Sequence, residues 1–182
     1  MIPRAYIDAW RTRAPWQQDA QVEQDLVISR VLVEIFSNEF LSEHLTFRGG
    51  TALHKLFLSP QARYSEDIDL VQFKPGAAKP MLEAIHDQLL FLGGKDDRKV
   101  RLSEHNCTIY YQYETEMSPP PRKRVKIEIN TREHFHLFGL KKETYSVDNP
   151  WFQGTADITT FELEELLGTK LRALYQRKKI SV

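Results

Sequence analysis

A single cysteine, Cys107, stands in a chain of 182 residues, so no internal disulfide can form and a reducing compartment is the natural setting. Long apolar runs are missing too. None approaches the ~20 residues that span a bilayer, and the opening MIPRAYIDAW lacks the apolar stretch of a secretory signal. A cytoplasmic protein without membrane attachment is therefore expected. Nor is there an excess of charge of one sign. Lys and Arg number 25 and Asp and Glu number 25, so no global field steers a polyanion, and a nucleic-acid partner would need local patches. Basic clusters occur at Arg122-Lys123-Arg124 with Lys126, at Lys141-Lys142 and at Arg177-Lys178-Lys179. Solvated faces and hairpin tips are the ordinary explanation for each. No internal repeat, low-complexity linker or G-x-x-x-x-G-K-[ST] loop is present, which removes P-loop chemistry. His134 and His136 have no thiol or third histidine at zinc-site spacing. Cys107 reads as a buried structural thiol, and Trp10, Trp16 and Trp151 as packing residues.

What is present has the length and composition of one well-cored globular domain. The N-terminal segment 1–43 is helical in character, with Val22, Leu26, Val31, Ile35 and Phe36 near a 3.6-residue period across Gln17–Asn38. A short apolar strand, His44–Phe47, ends at Gly49-Gly50. Leu53, Leu56 and Phe57 then follow at helical spacing until Ser59-Pro60. Asp67–Phe73 alternates, with Ile68 and Leu70 on one face and Asp67, Asp69 and Val71 on the other. Lys79–Leu92 is expected to be an amphipathic helix closed by Gly93-Gly94. Strands are expected at Lys99–Glu104, Thr108–Glu114 and Arg122–Asn130, the last two joined across Met117-Ser118 and Pro119–Pro121. An irregular stretch to about Thr159 and a final helix over 161–179 complete the pattern. The expected fold class is α/β (α+β): a mixed sheet with flanking helices, forming a single domain over 1–182.

The chemistry concentrates between Phe47 and Leu70. Asp67 and Asp69, at i and i+2 of a strand, project from one face, and two carboxylates so close repel unless a cation neutralises them. Hard oxygen donors with room for water and phosphate suit Mg²⁺ (or Mn²⁺). Alone, D-x-D also describes many solvated strand faces. Upstream, however, Phe47-Arg48-Gly49-Gly50-Thr51 runs from a strand through two glycines into a helix, where free N–H groups and the Thr51 hydroxyl can grip an anion. Separately these are a tight turn and an N-cap; together with D-x-D they suit a metal-bound nucleoside triphosphate. Glu128 lies on the polar face of Val125–Asn130, where an exposed glutamate paired with Lys126 or Arg124 is equally natural. Lys170 interrupts the apolar stripe Leu163, Leu166, Leu167, Leu171, Leu174, either to snorkel to the edge or to reach a charged partner.

FRGGTALHKLF followed by RYSEDIDL resembles the AbiEii/AbiGii nucleotidyltransferase toxins of abortive-infection systems, within the DNA polymerase β-like nucleotidyltransferase superfamily. The likeness extends to Lys126-Ile127-Glu128-Ile129-Asn130 and to Glu164-Glu165-Leu166-Leu167-Gly168-Thr169-Lys170-Leu171, spanning roughly 45–179. It implies a carboxylate triad of Asp67, Asp69 and Glu128 holding Mg²⁺, with Gly49, Gly50, Thr51, Lys55, Arg63, Ser65 and Lys170 binding the nucleotide. It also implies transfer of NMP from an NTP to a hydroxyl, with tRNA as the preferred acceptor, in a type IV toxin–antitoxin pair serving phage defence. The cognate antitoxin is implied as a genetic partner. Where the family continues with an R-D-x-x-D-like motif, this sequence reads Ile180-Ser181-Val182, so a natural short form or a truncated product is expected. Two other readings compete. One is a glycosyltransferase holding Mn²⁺ and a sugar nucleotide at Asp67-x-Asp69; the other is a non-catalytic nucleotide- or partner-binding module of the same fold.

Overall fold

The computed structural model describes residues 2–58, 60–61, 64–115, 122–132 and 136–178. Three helices lead: α1 (Arg4–Trp10), α2 (Asp19–Ser37) and α3 (Glu39–His44). Strand β1 (Leu45–Arg48) runs into the short helix α4 (Gly49–Ala52), which widens into a π-helical turn at Leu53–Phe57. There follow β2 (Asp67–Gln72), α5 (Ala78–Gln88), β3 (Arg98–Leu102), β4 (Asn106–Glu114), β5 (Arg122–Asn130), β6 (Leu140–Asn149), β7 (Phe152–Phe161) and α6 (Leu163–Lys178). The strands form one mixed sheet in the order β3-β4-β5-β2-β1-β7-β6, with β2/β5 and β1/β7 parallel and the other pairs antiparallel.

Helix α2 is the central packing element and is buried on nearly every side. Val22, Leu26, Ile28, Leu32 and Ile35 meet the sheet core of Phe47, Ile68, Leu70, Ile109, Ile127, Ile129 and Ile158. Its buried polar residues therefore need partners. The Asp25 carboxylate accepts hydrogen bonds from the Trp10 indole N–H (2.8 Å) and from the Lys55 ammonium (2.6 Å), which binds α1 and the π-turn to α2. Lys55 and the Tyr145 hydroxyl both donate to the Ser29 hydroxyl oxygen, at 2.9 Å each. Trp16 packs edge-on against Tyr64, and Trp151 against Phe91. The tryptophans are packing residues, as expected.

Three expectations need correction. The stretch taken as irregular after Asn130 contains the hairpin β6/β7, in full register from Leu140↔Phe161 to Asn149↔Phe152. Its residues Lys141-Lys142-Glu143 and Thr155, Thr159, Thr160 hide an edge strand and its neighbour behind polar side chains. The turn signal was Asn149-Pro150, whose Asn149 side chain accepts a hydrogen bond from the Trp151 N–H at 2.9 Å. Helix α5 ends at Gln88, not Leu92; the chain continues as a 3₁₀ turn, Leu90–Leu92, into Gly93 with φ +131°. Val71, expected on the polar face of β2, is buried because that end of the face is roofed by Phe161 and Leu166. The Met117–Pro121 connection and His134 lie outside the described residues.

Candidate functional site

Backbone register assembles the carboxylates. Asp67 and Asp69 share the face of β2 opposite the buried Ile68 and Leu70. Parallel pairing with β5 sets Asp69 beside Glu128 and Asp67 beside Lys126, while antiparallel β1 sets Arg48 beside Asp69. Neighbouring strands lie about 4.8 Å apart, so three carboxylates and two cations meet on one small patch. The Lys126 ammonium bridges Glu128 Oε2 (2.9 Å) and Asp67 Oδ2 (3.3 Å). Burial works against its charge, yet its hydrogen bond to Glu128 and the nearby Asp67 carboxylate outweigh that and lift its pKa above the usual lysine range.

Asp69 behaves oppositely. Burial, then the like charges of Glu128 and Asp67, push its carboxyl above the ordinary aspartate range, with Arg48 and Lys126 pulling weakly the other way. An anionic cluster that resists its own ionisation is what a hard divalent cation relieves. Among the described residues, no three acidic, histidine or cysteine side chains yet converge into a closed cage. The donor chemistry nonetheless fits Mg²⁺: Asp67 and Glu128 keep 45% and 37% of their side-chain surface exposed, leaving room for water and phosphate ligands.

The glycine turn is pressed against these carboxylates. Gly49 has φ +84°, and a Cβ built on it would collide with the Asp69 carboxylate, its Cβ and Cγ each 3.0 Å away. Only glycine fits this close approach. A Cβ on Gly50 would lie 3.2 Å from the Lys170 ammonium and 3.7 Å from the Ser65 hydroxyl. Lys170 thus reaches from α6 to the turn at the start of α4, and the bland reading of a snorkelling lysine gives way. Gly49, Gly50, Ser65 and Lys170 form one end of the site, and Asp67, Asp69 and Glu128 the other.

Two expected phosphate contacts have other duties. Thr51 is buried, and its hydroxyl donates to the Asp67 carbonyl oxygen, so the Ser65 hydroxyl, at 2.7 Å, donates to Thr51. Its hydroxyl proton is committed to fixing the start of β2 rather than to gripping an anion. Lys55 points away into the interior, with 2% of its side chain exposed, ion-paired to an Asp25 that is 1% exposed. The widened π-turn carries it towards α2, and it serves the core. Arg63 lies outside the described residues. Sequence reasoning missed Lys126 and Arg48 as members of the cluster; the K-h-E spacing held the signal for Lys126, since i and i+2 share a face.

The stripe on α6 is buried only at its first turns. Leu166 is covered, while Leu167, Leu171 and Leu174 are exposed at 46%, 66% and 52%. Glu165 instead anchors α6, accepting hydrogen bonds from the Leu137 and Phe138 N–H groups at 3.1–3.2 Å. Beside the carboxylates a cavity of about 250 Å³ opens between Arg48, Phe138, Phe161, Leu166, Thr169 and Arg172. A larger cavity of about 450 Å³, lined by Arg30, Leu92, Tyr113 and Trp151, contains none of the carboxylates. Arg30 there is committed to Glu34 at 3.1 Å and stacks over Phe91 at 3.9 Å, so packing explains it. Cys107 is buried, and burial pushes its thiol up to about 11, which removes it as a nucleophile.

A family model described as "Nucleotidyl transferase AbiEii toxin, Type IV TA system" matches residues 30–181. The chain belongs to this AbiEii family. The match takes in the glycine turn, D-x-D, Glu128 and Lys170. No curated protein matches the chain. Among solved structures, MenT4, a nucleotidyltransferase toxin from Mycobacterium tuberculosis, is similar with a TM-score of 0.62 at 17% identity. The likeness covers 94% of this chain and 58% of MenT4, so the chain spans little more than half of that protein's length. A nucleotidyltransferase-like protein from Paracoccidioides brasiliensis is similar at 19% identity and a TM-score of 0.49, covering 82% of this chain and 67% of that one. The expected mixed-sheet fold with flanking helices is thus shown, by the sheet itself and by the likeness to MenT4. Among the described residues no helix is long and apolar enough to cross a membrane.

Proposed function

We propose that the chain is a metal-dependent nucleotidyltransferase that moves NMP from an NTP to a hydroxyl, the toxin half of a type IV pair. The observation that carries this is the packing of Gly49 on Asp69 with Lys170 poised over Gly50. It joins a carboxylate pair that favours a cation to an ammonium and the N–H groups of a helix start on one turn. Asp67, Asp69 and Glu128 would hold Mg²⁺, which when bound neutralises charge on the phosphate oxygens. Lys170 and the backbone N–H groups of the glycine turn bind the β- and γ-phosphates, while the Ser65 hydroxyl holds Thr51 in place. The cavity beside Arg48 and Arg172 takes the nucleoside end. Glu128 orients the acceptor hydroxyl, whose oxygen attacks the α-phosphorus. The bond from the α-phosphorus to the β-phosphate bridging oxygen breaks, and pyrophosphate leaves with the electron pair towards Lys170, while the hydroxyl proton passes through Glu128 to water.

The acceptor is the 3′ end of a tRNA, the setting is the cytoplasm during phage defence, and the cognate antitoxin is the genetic partner. This extends the AbiEii family description, which names a type IV toxin, to a particular substrate. The test is incubation with each [α-³²P]NTP and total cellular RNA, comparing the native chain with Asp67→Asn. Label entering a small RNA and lost in the variant supports the proposal. Equal labelling by Asp67→Asn sinks the metal assignment, and tight NTP binding without pyrophosphate release replaces transfer with simple binding.

A further inference from the structure

The face of the sheet that carries the carboxylates continues beyond them, and its character changes from acidic to basic. Registers trace two rows across the strands. One runs Asp67, Lys126 on β5, Tyr110 on β4 and Lys99 on β3; the next runs Asp69, Glu128, Thr108 and Arg101. Arg124, opposite Gln112, lies one step further along the same face. The other faces of β4 and β5 are the core, with Ile109, Tyr111, Val125 and Ile127 fully buried. Lys99, Arg101, Gln112 and Arg124 are exposed, and Thr108 and Tyr110 half-buried. At about 4.8 Å per strand, Arg101 stands roughly 10 Å from Glu128. The guanidinium groups of Arg101 and Arg124 lie over the Tyr110 ring, 5.5 and 5.1 Å from its centroid. Among the described residues these two guanidiniums contact this ring and form no ion pair with a carboxylate. A chain of repeated anions bearing flat rings matches planar cations around an aromatic ring.

We propose that the β3–β4–β5 face is the track of a single-stranded polynucleotide acceptor, with its 3′-terminal hydroxyl at Glu128 and its backbone phosphates over Arg101 and Arg124. The proposal deepens the transferase reading and rests on it for the direction of the strand. Its bases stack against Tyr110 and the two guanidinium planes, and Thr108 lies between them and the carboxylates. The open sheet imposes no base-edge readout, so the track grips the end of a strand with little regard to sequence.

The experiment uses the whole chain in EDTA without NTP, with a 5′-fluorescein-labelled 12-nucleotide RNA bearing a free 3′-hydroxyl, followed by anisotropy across a salt series. Two phosphate contacts on a single strand are worth a slope of about 1.4 in log K against log salt, or about 25-fold in affinity near 0.1 M salt. Arg101→Ala/Arg124→Ala is expected to lose that much, Tyr110→Ala about ten-fold at unchanged slope, and Lys142→Ala on β6 nothing. Wild-type affinity and slope in the double variant overturn the proposal. So does a 12-residue polyglutamate that competes as well as the RNA, which would assign the face to an acidic protein partner. Addition of Mg²⁺ and labelled NTP separates the two ideas. A strand bound through Arg101 and Arg124 but never extended keeps the track and sinks the transferase. Extension with the same acceptor KM in the double variant keeps the transferase and sinks the track.

Discussion

Gly49 and Gly50 are adjacent in sequence, yet the structure assigns their replacement opposite consequences. Gly49→Ala places a β-carbon at φ +84°, where L-residues lose roughly 1–2 kcal/mol. The added methyl also runs into the Asp69 carboxylate, whose Cβ is 3.0 Å away on a strand paired on both sides. That atom is fixed by two ladders, so strain adds to the backbone cost, and a total of about 2–3 kcal/mol follows. For a chain of this size each kcal/mol moves Tm by about 2–4 °C, giving a fall of roughly 4–12 °C. Asp69 is displaced as well, so Mn²⁺ binding read by electron paramagnetic resonance should weaken. Gly50→Ala meets the tip of Lys170 at 3.2 Å, a flexible ammonium that can shift by a few tenths of an ångström, and the Ser65 hydroxyl at an ordinary 3.7 Å. Its Tm should hold within about 2 °C, while KM for NTP rises. Paired melting curves in EDTA decide the matter. Equal Tm values for the two variants would show that the Asp69–Gly49 packing is not real.

Four further outcomes follow from named contacts. The raised carboxyl of Asp69 means the folded chain holds a proton that the unfolded chain has released, so stability falls as pH climbs from the ordinary aspartate value through the folded one. Asp69→Asn in EDTA should therefore melt above the native chain at pH 7 and lose that lead in acid; a lower Tm at pH 7 refutes the burial and like-charge account. Lys55→Met strands Asp25 in the interior and should cost about 3–5 kcal/mol by urea unfolding; a stable variant with weakened NTP binding would restore Lys55 to the nucleotide site. Lys170→Ala should weaken NTP binding by roughly ten- to hundred-fold, the worth of one charge-assisted contact, with Lys170→Arg recovering part of it in calorimetry. Thr51→Val cuts the link to Asp67 and Ser65 and should cost about 1–3 kcal/mol, with Mn²⁺ affinity falling in step.

Much of the site was legible because strand geometry makes it so. The i, i+2 rule alone places Asp67 with Asp69 and Lys126 with Glu128, and two glycines before a helix mark a close approach. What the pattern could not carry was the direction of long side chains. Lys55 and Lys170 are both lysines at helical spacing beside apolar residues, yet one dives to Asp25 and the other reaches Gly50. Only the three-dimensional position of α2 and α6 separates them. Thr51 looked like an anion donor because its carbonyl partner, Asp67, is distant in sequence. The β6/β7 hairpin escaped because an edge strand is kept soluble by the same charged residues that blur its alternation.

The parallel pairing of β2 with β5 fixes when during synthesis the carboxylate cluster can be assembled. Asp69 and Glu128 are brought together only after the intervening α5, β3 and β4 have been made and folded in. The glycine turn waits longer still, for Lys170 on α6. Long-range parallel pairing forms late and slowly compared with local helices and hairpins. A nascent chain emerging at about 5–20 residues per second thus has an incomplete site until α6 docks, which leaves an interval for any factor that recognises the unfinished sheet. The same topology divides the site between distant segments: a fragment lacking β5 loses Glu128 from the carboxylate end, and one lacking α6 loses Lys170 from the glycine end.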